Sequence, residues 1–351
     1  MTFDSTFLQS SNDGNVSREL PARPMHEMER KAGCAVTVDR IWAAVNAIAP
    51  YVKLTPTLRD QALSERFGTN VYLKYEVLQH TGAFKIRGAF NKMLSLTADE
   101  CGRGAVAVSG GNHAQAVAYA GRALNISVTA LMPEFTPDNY VRRTMAFGAK
   151  VEKFPALADA FAAAEKYEAA GLTLIHPFDD AYVVSGQGTI GLEILQQVPE
   201  VTDVIVSIGG GGLAAGISTL VRSLKPSVEL WGVETKGADS MSQAIAANRP
   251  VDIGKMTSIA RTLGATTVGE LPFEIVRRNI SEVVVVSDDE ALSEIGWLLE
   301  NSKVLTEPAA SCTIAAAERL KTNFGSDDHV VIVLCGGNQD VRALSANTNL
   351  R

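Results

Sequence analysis

The sequence predicts an α/β protein of two lobes, with twisted parallel sheets flanked by helices. Three observations carry that prediction. Short apolar runs at 105–108, 204–208 and 329–335 alternate with alanine-rich segments of helical period. Such runs fit strands buried on both faces, as parallel sheets require. The alternation occurs twice, and 351 residues exceed the roughly 250–300 at which a single core stops growing.

In chain order, Thr37 caps a first helix, whose apolar positions Ile41, Val45 and Ile48 keep helical spacing up to Pro50. Residues 71–75 read as a strand and 85–96 as a helix. A regular series follows: strand 105–108, helix 112–124, strand 127–131 stopped by Pro133, and helix 138–147 ended by Gly148. Strand 151–154, helix 157–170 and strand 172–175 complete it. Later, strand 204–208 runs through a glycine cluster into helix 213–224. Strands 228–233 and 283–286 come next, Asp288 and Asp289 open another helix, and 329–335 is the last strand. No fixed-period repeat and no low-complexity linker interrupts the series.

Apolar residues make up 46% and charged residues 20%, the balance of a globular chain. Lys plus Arg number 32 and Asp plus Glu 39, a net charge of −7. An acidic chain lacks the basic field that holds nucleic acid or an anionic membrane surface. No run approaches the ~20 apolar residues of a membrane span. Cys34, Cys101, Cys312 and Cys335 are scattered, without a Cys-x-x-Cys pair or a disulfide framework, which points to a reducing cytoplasm. Residues 1–33 are polar and lack the basic start, apolar stretch and cleavage signature of a secretory peptide. They read as a mobile solvated arm; an arm crossing the subunit interface of a homo-oligomer is the sharper alternative.

Four glycines, Gly209, Gly210, Gly211 and Gly212, stand between an apolar strand and a helix. Their amides, with the unpaired N–H groups of the helix start, would cradle a phosphate. A tight strand-to-helix turn needs the same glycines. Gly209, Gly211 and Ala214 also fit a loose dinucleotide pattern, so a nicotinamide-dependent oxidoreductase is a competing reading. Lys85 follows Phe84 at the head of a helix, where its charge and that of Arg87 oppose the positive helix end. A desolvated lysine has a lowered pKa and attacks aldehydes. Taken alone, a solvated surface lysine is the simpler reading. Ser109-Gly110-Gly111-Asn112-His113 opens another helix after an apolar strand. Its amides could hold a carboxylate, Asn112 could donate to a phenolic oxygen, and His113 is either a base or a structural histidine. Cys335 ends the last strand, either as a small buried side chain or as a weak donor to a ring nitrogen. His26, His80, His176 and His329 show no ligand spacing, so no zinc site is expected.

Seven segments together resemble a known family in order and spacing. They are Leu54-Thr55-Pro56-Thr57, Phe84-Lys85-Ile86-Arg87-Gly88-Ala89, Ser109 to His113, His176-Pro177 with Ser185-Gly186-Gln187-Gly188-Thr189, Gly209 to Leu213, Glu307-Pro308-Ala309-Ala310 and Cys335-Gly336-Gly337-Asn338. The chain resembles the fold-type II pyridoxal-phosphate enzymes of the serine/threonine dehydratase family, with serine racemase and phenylserine dehydratase as relatives. The resemblance covers about residues 40–345. It implies a tryptophan synthase β-like fold, with a large cofactor domain of 34–103 plus 181–345, a small domain of 104–180 and a tail of 346–351. It implies pyridoxal 5'-phosphate in a Schiff base with Lys85, Phe84 against the ring, and Asn112 on the phenolic oxygen. Gly209, Gly210, Gly211, Gly212 and Leu213 would hold the phosphate, and Cys335 would face the pyridine nitrogen. The substrate carboxylate would lie in the loop of Ser109, Gly110, Gly111, Asn112 and His113. The implied reaction removes water from a β-hydroxy-α-amino acid of the threonine or serine class, giving a 2-oxo acid and ammonia. A neutral thiol at the ring nitrogen makes a weaker electron sink than a carboxylate would, which suits a substituent that departs with the α-proton.

Four departures shape the expectation. Serine racemase carries a serine where Gly110 stands, so dehydration is expected over racemisation. The family segment Thr-Ile-Ala-Asp-Gly reads Ser258-Ile259-Ala260-Arg261-Thr262 here, which leaves 3-phenylserine or 3-hydroxyaspartate as alternative substrates. Glu234 fits a divalent-cation ligand of some relatives, but Ser240 stands where their aspartate does, so metal binding stays open. The chain ends soon after Asn338, where biosynthetic relatives continue into a regulatory domain, so a catabolic enzyme without isoleucine feedback is expected. A non-catalytic amino-acid-binding protein that kept the fold is the remaining alternative.

Overall fold

Residues 35–340 are described in the computed structural model, so the expected arm 1–33 and tail 346–351 lie outside the described residues. Thr37 accepts a hydrogen bond from the Arg40 backbone and starts α1 (Val38–Ile48), which buries Ile41, Ala44 and Ile48. Strand β1 (Thr57–Arg59) leads to Asp60, which caps α2 (Gln61–Phe67), and β2 (Asn70–Lys74) follows. Lys85 immediately precedes α3 (Ile86–Met93), and Thr97 with Glu100 forms a capping box on α4 (Ala98–Arg103). Then come β3 (Ala105–Val108), α5 (Asn112–Leu124), β4 (Val128–Pro133), α6 (Asp138–Ala146), β5 (Lys150–Phe154), α7 (Leu157–Ala169) and β6 (Thr173–Leu174). These match the predicted series to within one or two residues at their ends. The second half holds α8 (Ala181–Gln197), β7 (Asp203–Ser207), α9 (Gly212–Leu224), β8 (Glu229–Thr235), α10 (Ser240–Ala247), α11 (Glu270–Asn279), β9 (Glu282–Val286), α12 (Asp288–Asn301), α13 (Pro308–Leu320) and β10 (His329–Val333).

The strands form two sheets. One has the order β1-β2-β10-β7-β8-β9 and the other β5-β4-β3-β6. Every pairing is parallel except that of β1 with β2. The central strands β3 and β7 are buried along their whole length, as their unbroken apolar runs require. Helix α8 is absent from the predicted series. Every residue from Val183 to Leu192 is buried, so the helix has no polar face and no amphipathic period to read.

Two residues beyond Lys85, a buried ion cluster anchors α3. Arg87 donates to both oxygens of Glu76 at 2.8 and 2.9 Å and to both oxygens of Glu193 at 2.6 and 2.9 Å. Lys74 adds a second cation on Glu193 at 2.5 Å, and Thr55 donates to Glu76 at 2.6 Å. Two acids face two bases, so the cluster carries no net charge while it ties β2, α3 and α8 together. Burial pushes the Glu76 carboxyl up, but Arg87 and Lys74 outweigh it and hold it below the usual carboxylate range.

Candidate active site

The segment before α3 is tied to the end of β10. Phe84 donates its backbone N–H to the Cys335 carbonyl at 3.0 Å, and Gly337 donates to the Gly82 carbonyl at 2.9 Å. These two rungs bring Lys85 and Cys335, 250 positions apart in the sequence, into one site. The Lys85 amine lies 5.1 Å from the centroid of the Phe84 ring and donates to the Pro177 carbonyl at 2.7 Å. Burial lowers the amine to about 8, with Cys335 and Glu307 raising it back in part. Cys335 is 3% exposed; it accepts from the Ser207 hydroxyl at 3.4 Å and donates to the Ala309 carbonyl at 3.5 Å. Burial pushes this thiol up to about 12, so it stays neutral at physiological pH. Phe178, next in the chain to the Pro177 that Lys85 bonds, packs against Gly210 and Gly212, which brings the glycine loop to the same site.

Gly209 and Gly210 follow β7, and Gly211, at φ 94°, caps α9 without any side-chain hydrogen bond. The glycines are needed for a reason other than the one read from the sequence. A Cβ at Gly209 would overlap the Leu263 carbonyl, and one at Gly210 would overlap the Phe178 ring. The space that side chains would take is filled by protein, so the loop is glycine-rich because it is wedged between Phe178 and Leu263. What the loop offers an anion is its backbone N–H groups and the uncapped start of α9.

The second predicted loop follows β3. Gly111 donates its N–H to the Ser109 hydroxyl at 3.1 Å and caps α5, again with no side-chain bond to the helix. Asn112 donates Nδ2–H to Glu307 Oε1 at 2.7 Å and accepts from Asn338 Nδ2 at 2.8 Å. A Cβ on Gly110 would stand 2.7 Å from Thr136 Oγ1 and 3.4 Å from the Pro133 ring. His113 Nε2–H donates to the Ile175 carbonyl at 2.7 Å, while Nδ1 has no partner among the described residues. Burial, with Lys85 adding to it, lowers His113 to about 3. An imidazole so hard to protonate is a poor general base, which favours the structural of its two sequence readings.

Glu234 is engaged elsewhere. Its oxygens accept from the Met241 and Ser242 backbone N–H groups and the Ser242 hydroxyl, each at 2.8 Å. It thus caps the start of α10, and burial pushes its carboxyl up to about 7. Among the described residues no group of three His, Cys, Asp or Glu side chains is placed to hold a metal ion. Nor is any described helix long and apolar enough to cross a membrane.

Four contributors escape a residue-by-residue reading of the sequence. Ser207 carries no sequence signal, and Pro177 is visible as part of a motif but without a role for its carbonyl. Thr262, which donates to Glu307 at 2.9 Å, sits in a segment visible only as a departure. Glu307 is visible as part of a motif but without a role; it is 2% exposed, and burial pushes its carboxyl up against the hydrogen bonds from Thr262 and Asn112.

The sequence profile of the pyridoxal-phosphate dependent enzymes matches residues 48–336. The chain belongs to that family. It is 38% identical to an L-threonine ammonia-lyase of Thermotoga maritima over 321 residues, 90% of this chain and 78% of that protein. It is 40% identical to an L-threonine ammonia-lyase of Geobacter sulfurreducens over 297 residues, 84% of this chain and 73% of that one. Among solved structures, maize serine racemase superposes with a TM-score of 0.85 at 33% identity, covering 89% of this chain and 97% of that one. The T.th. threonine deaminase superposes at 0.81 and 35% identity, covering 87% and 99%. The fold is that of the fold-type II members. The donor set of the site fits the family's cofactor. It holds one amine that loses its proton near neutral pH, for an aldehyde, and an uncapped helix start, for a phosphate. It also holds an amide with a second N–H to give and a neutral thiol.

Proposed function

We propose that the protein is a pyridoxal-phosphate-dependent ammonia-lyase that removes water from L-threonine or L-serine, giving a 2-oxo acid and ammonia. The observation that carries the reading is the buried Lys85 amine, bonded to the Pro177 carbonyl, with its pKa brought down to about 8 in one site with the neutral Cys335 thiol. The threonine ammonia-lyases at 38% and 40% identity support the reaction class.

In this reading Lys85 binds the cofactor's aldehyde covalently, and Phe84 packs on the ring. Asn112 donates to its phenolic oxygen. The N–H groups of Gly209, Gly210, Gly211, Gly212 and Leu213 hold its phosphate, and Cys335 faces its ring nitrogen. When bound, the cofactor supplies the electron sink that makes the substrate α-proton removable. The loop from Ser109 to His113, with Gly110 and Gly111, holds the substrate carboxylate at the start of α5. Lys85, once its amine is free and neutral, accepts the α-proton. The neutral thiol of Cys335 would not hold a proton on the ring nitrogen, so the cofactor would be a weaker electron sink, which suits loss of a β-substituent over return of a proton to Cα.

The chain divides, in this account, into a large lobe of 34–103 and 181–345 and a small lobe of 104–180, since β3, β4, β5 and β6 all fall in the latter. The reading includes no divalent cation, because the Glu234 oxygens are spent on α10. Racemisation is disfavoured because position 110 has no side chain, and Thr136 occupies the space one would need. The three described cysteines are free, which fits the cytoplasm. An assay for 2-oxo acid across the isomers of serine, threonine, 3-phenylserine and 3-hydroxyaspartate tests the proposal. Turnover fastest with L-threonine or L-serine supports it. Turnover of none of them contradicts it.

A further inference from the structure

We propose that Arg143, Asn338 and Glu307 are positioning residues that set which way the Asn112 amide faces, so that it presents an N–H rather than a carbonyl to the cofactor. The proposal rests on the reading that Asn112 meets the cofactor's phenolic oxygen.

The four side chains form a continuous chain: Arg143 Nη1–H to Asn338 Oδ1 at 2.5 Å, Asn338 Nδ2–H to Asn112 Oδ1 at 2.8 Å, and Asn112 Nδ2–H to Glu307 Oε1 at 2.7 Å. An arginine can only donate, and Glu307 accepts through Oε1, the oxygen that takes both the Asn112 and the Thr262 hydrogens. The two amides between them are ambivalent in isolation, but the ends of the chain leave them one orientation. Asn338 is fixed twice over, because its other N–H goes to the Thr81 carbonyl at 2.8 Å. A reversed Asn112 would set its N–H groups against those of Asn338 and its carbonyl against the Glu307 carboxylate. Both mismatches would be buried, since Asn112 and Asn338 are each 5% exposed and Glu307 is 2% exposed. Thr262 strengthens the accepting end by donating to the same Glu307 oxygen at 2.9 Å. One N–H of Asn112 is spent on Glu307, and the second finds no partner among the described residues. That is the hydrogen a phenolic oxygen would take; a carbonyl there would repel it.

The polarity can be inverted with the bonds along the four-residue chain kept, at the cost of the Asn338 bond to the Thr81 carbonyl. In the double variant Asn338→Asp with Glu307→Gln, the new carboxylate can only accept and the new amide can donate, so Asn112 is satisfied when reversed. Glu307→Gln alone still offers an oxygen to Asn112, and Asn338 still dictates the direction. The holoenzymes are compared by the position of the visible cofactor band and by the cofactor dissociation constant. The proposal expects the single variant to lose less than about threefold in affinity, and the double variant to lose about tenfold or more with a displaced band. Equal bands and affinities in the double variant and the wild type would overturn it, and so would a single variant as impaired as the double. If the double variant does not fold, neutron diffraction of the deuterated wild-type holoenzyme decides: two deuterons on the Asn112 atom facing the cofactor are expected, and none there overturns the inference. Asn112→Ala separates this test from the reading beneath it. An unchanged band and affinity in that variant would mean that Asn112 does not meet the cofactor at all.

Discussion

The Phe84 amide and the Cys335 carbonyl are bonded at 3.0 Å, so the backbone that carries the Lys85 amine is an extra rung on the end of the last strand. The amine and the thiol are therefore held by the sheet rather than by a free loop. A reaction that needs both against one ring needs them fixed relative to each other.

The first consequence concerns pH. Lys85 attacks an aldehyde only as the neutral amine, and burial brings its pKa to about 8 from an ordinary lysine value of roughly 10.4. Below pH 8 the neutral fraction falls about tenfold per unit, and above it the fraction levels off. The rate at which cofactor-free protein takes up pyridoxal phosphate should follow that curve, read by stopped-flow absorbance. A rate still climbing tenfold per unit between pH 9 and 10 would contradict the placement of the amine.

On the proposed reading, the missing side chain at Gly110 favours elimination over racemisation. The wild type should form 2-oxo acid from L-serine faster than it forms D-serine. Gly110→Ser places a Cβ 2.7 Å from Thr136 Oγ1, so that side chain or the loop must shift. If that loop holds the substrate carboxylate as proposed, displacing it by a few tenths of an ångström should cost about tenfold in kcat/KM, mostly through KM. Wild-type racemisation as fast as elimination would show that some other group serves the second face of Cα.

Arg87 gives a stability test. It holds two buried carboxylates, Glu76 and Glu193, by four hydrogen bonds. Arg87→Met leaves both acids with only Lys74 as a cation, and removing one partner of a buried pair costs about 3–5 kcal/mol. Arg87→Lys should recover only part of this, because an ammonium has three donors and cannot replace the four bonds of the guanidinium fork. Denaturant unfolding of the cofactor-free protein measures both. A loss below about 1 kcal/mol for Arg87→Met would place the cluster among weak ion pairs.

Metal removal should do little. Glu234 caps α10 with both oxygens, and Ser240, at the first position of that helix, offers no carboxylate. Dialysis against a chelator is expected to leave kcat/KM within about twofold. A collapse of activity that magnesium or manganese restores would contradict this.

The sequence shows the alternating strands and helices because central strands such as β3 and β7 are buried on both faces and a helix such as α7 on one. That logic fails for α8, which is buried all round, and for β1, a three-residue edge strand with two exposed positions. The glycine run is plain in the sequence but for an incomplete reason, since Phe178 and Leu263, from remote segments, fill the Cβ positions. Lys85 can be singled out by its odd place at a helix start. Its partner cannot, because a backbone carbonyl such as that of Pro177 is the same group at every position. Glu307 shows the other limit. Its role lies in which atoms it faces, Asn112 and Thr262, and no spacing encodes a contact between residues 195 and 45 positions apart.

The most direct test of the account is reduction of the holoenzyme with borohydride, followed by peptide mass mapping. The account predicts that the visible band disappears and that one phosphopyridoxyl group is fixed on the peptide carrying Lys85. A label on another lysine, Lys74 for example, or no label at all, would contradict it.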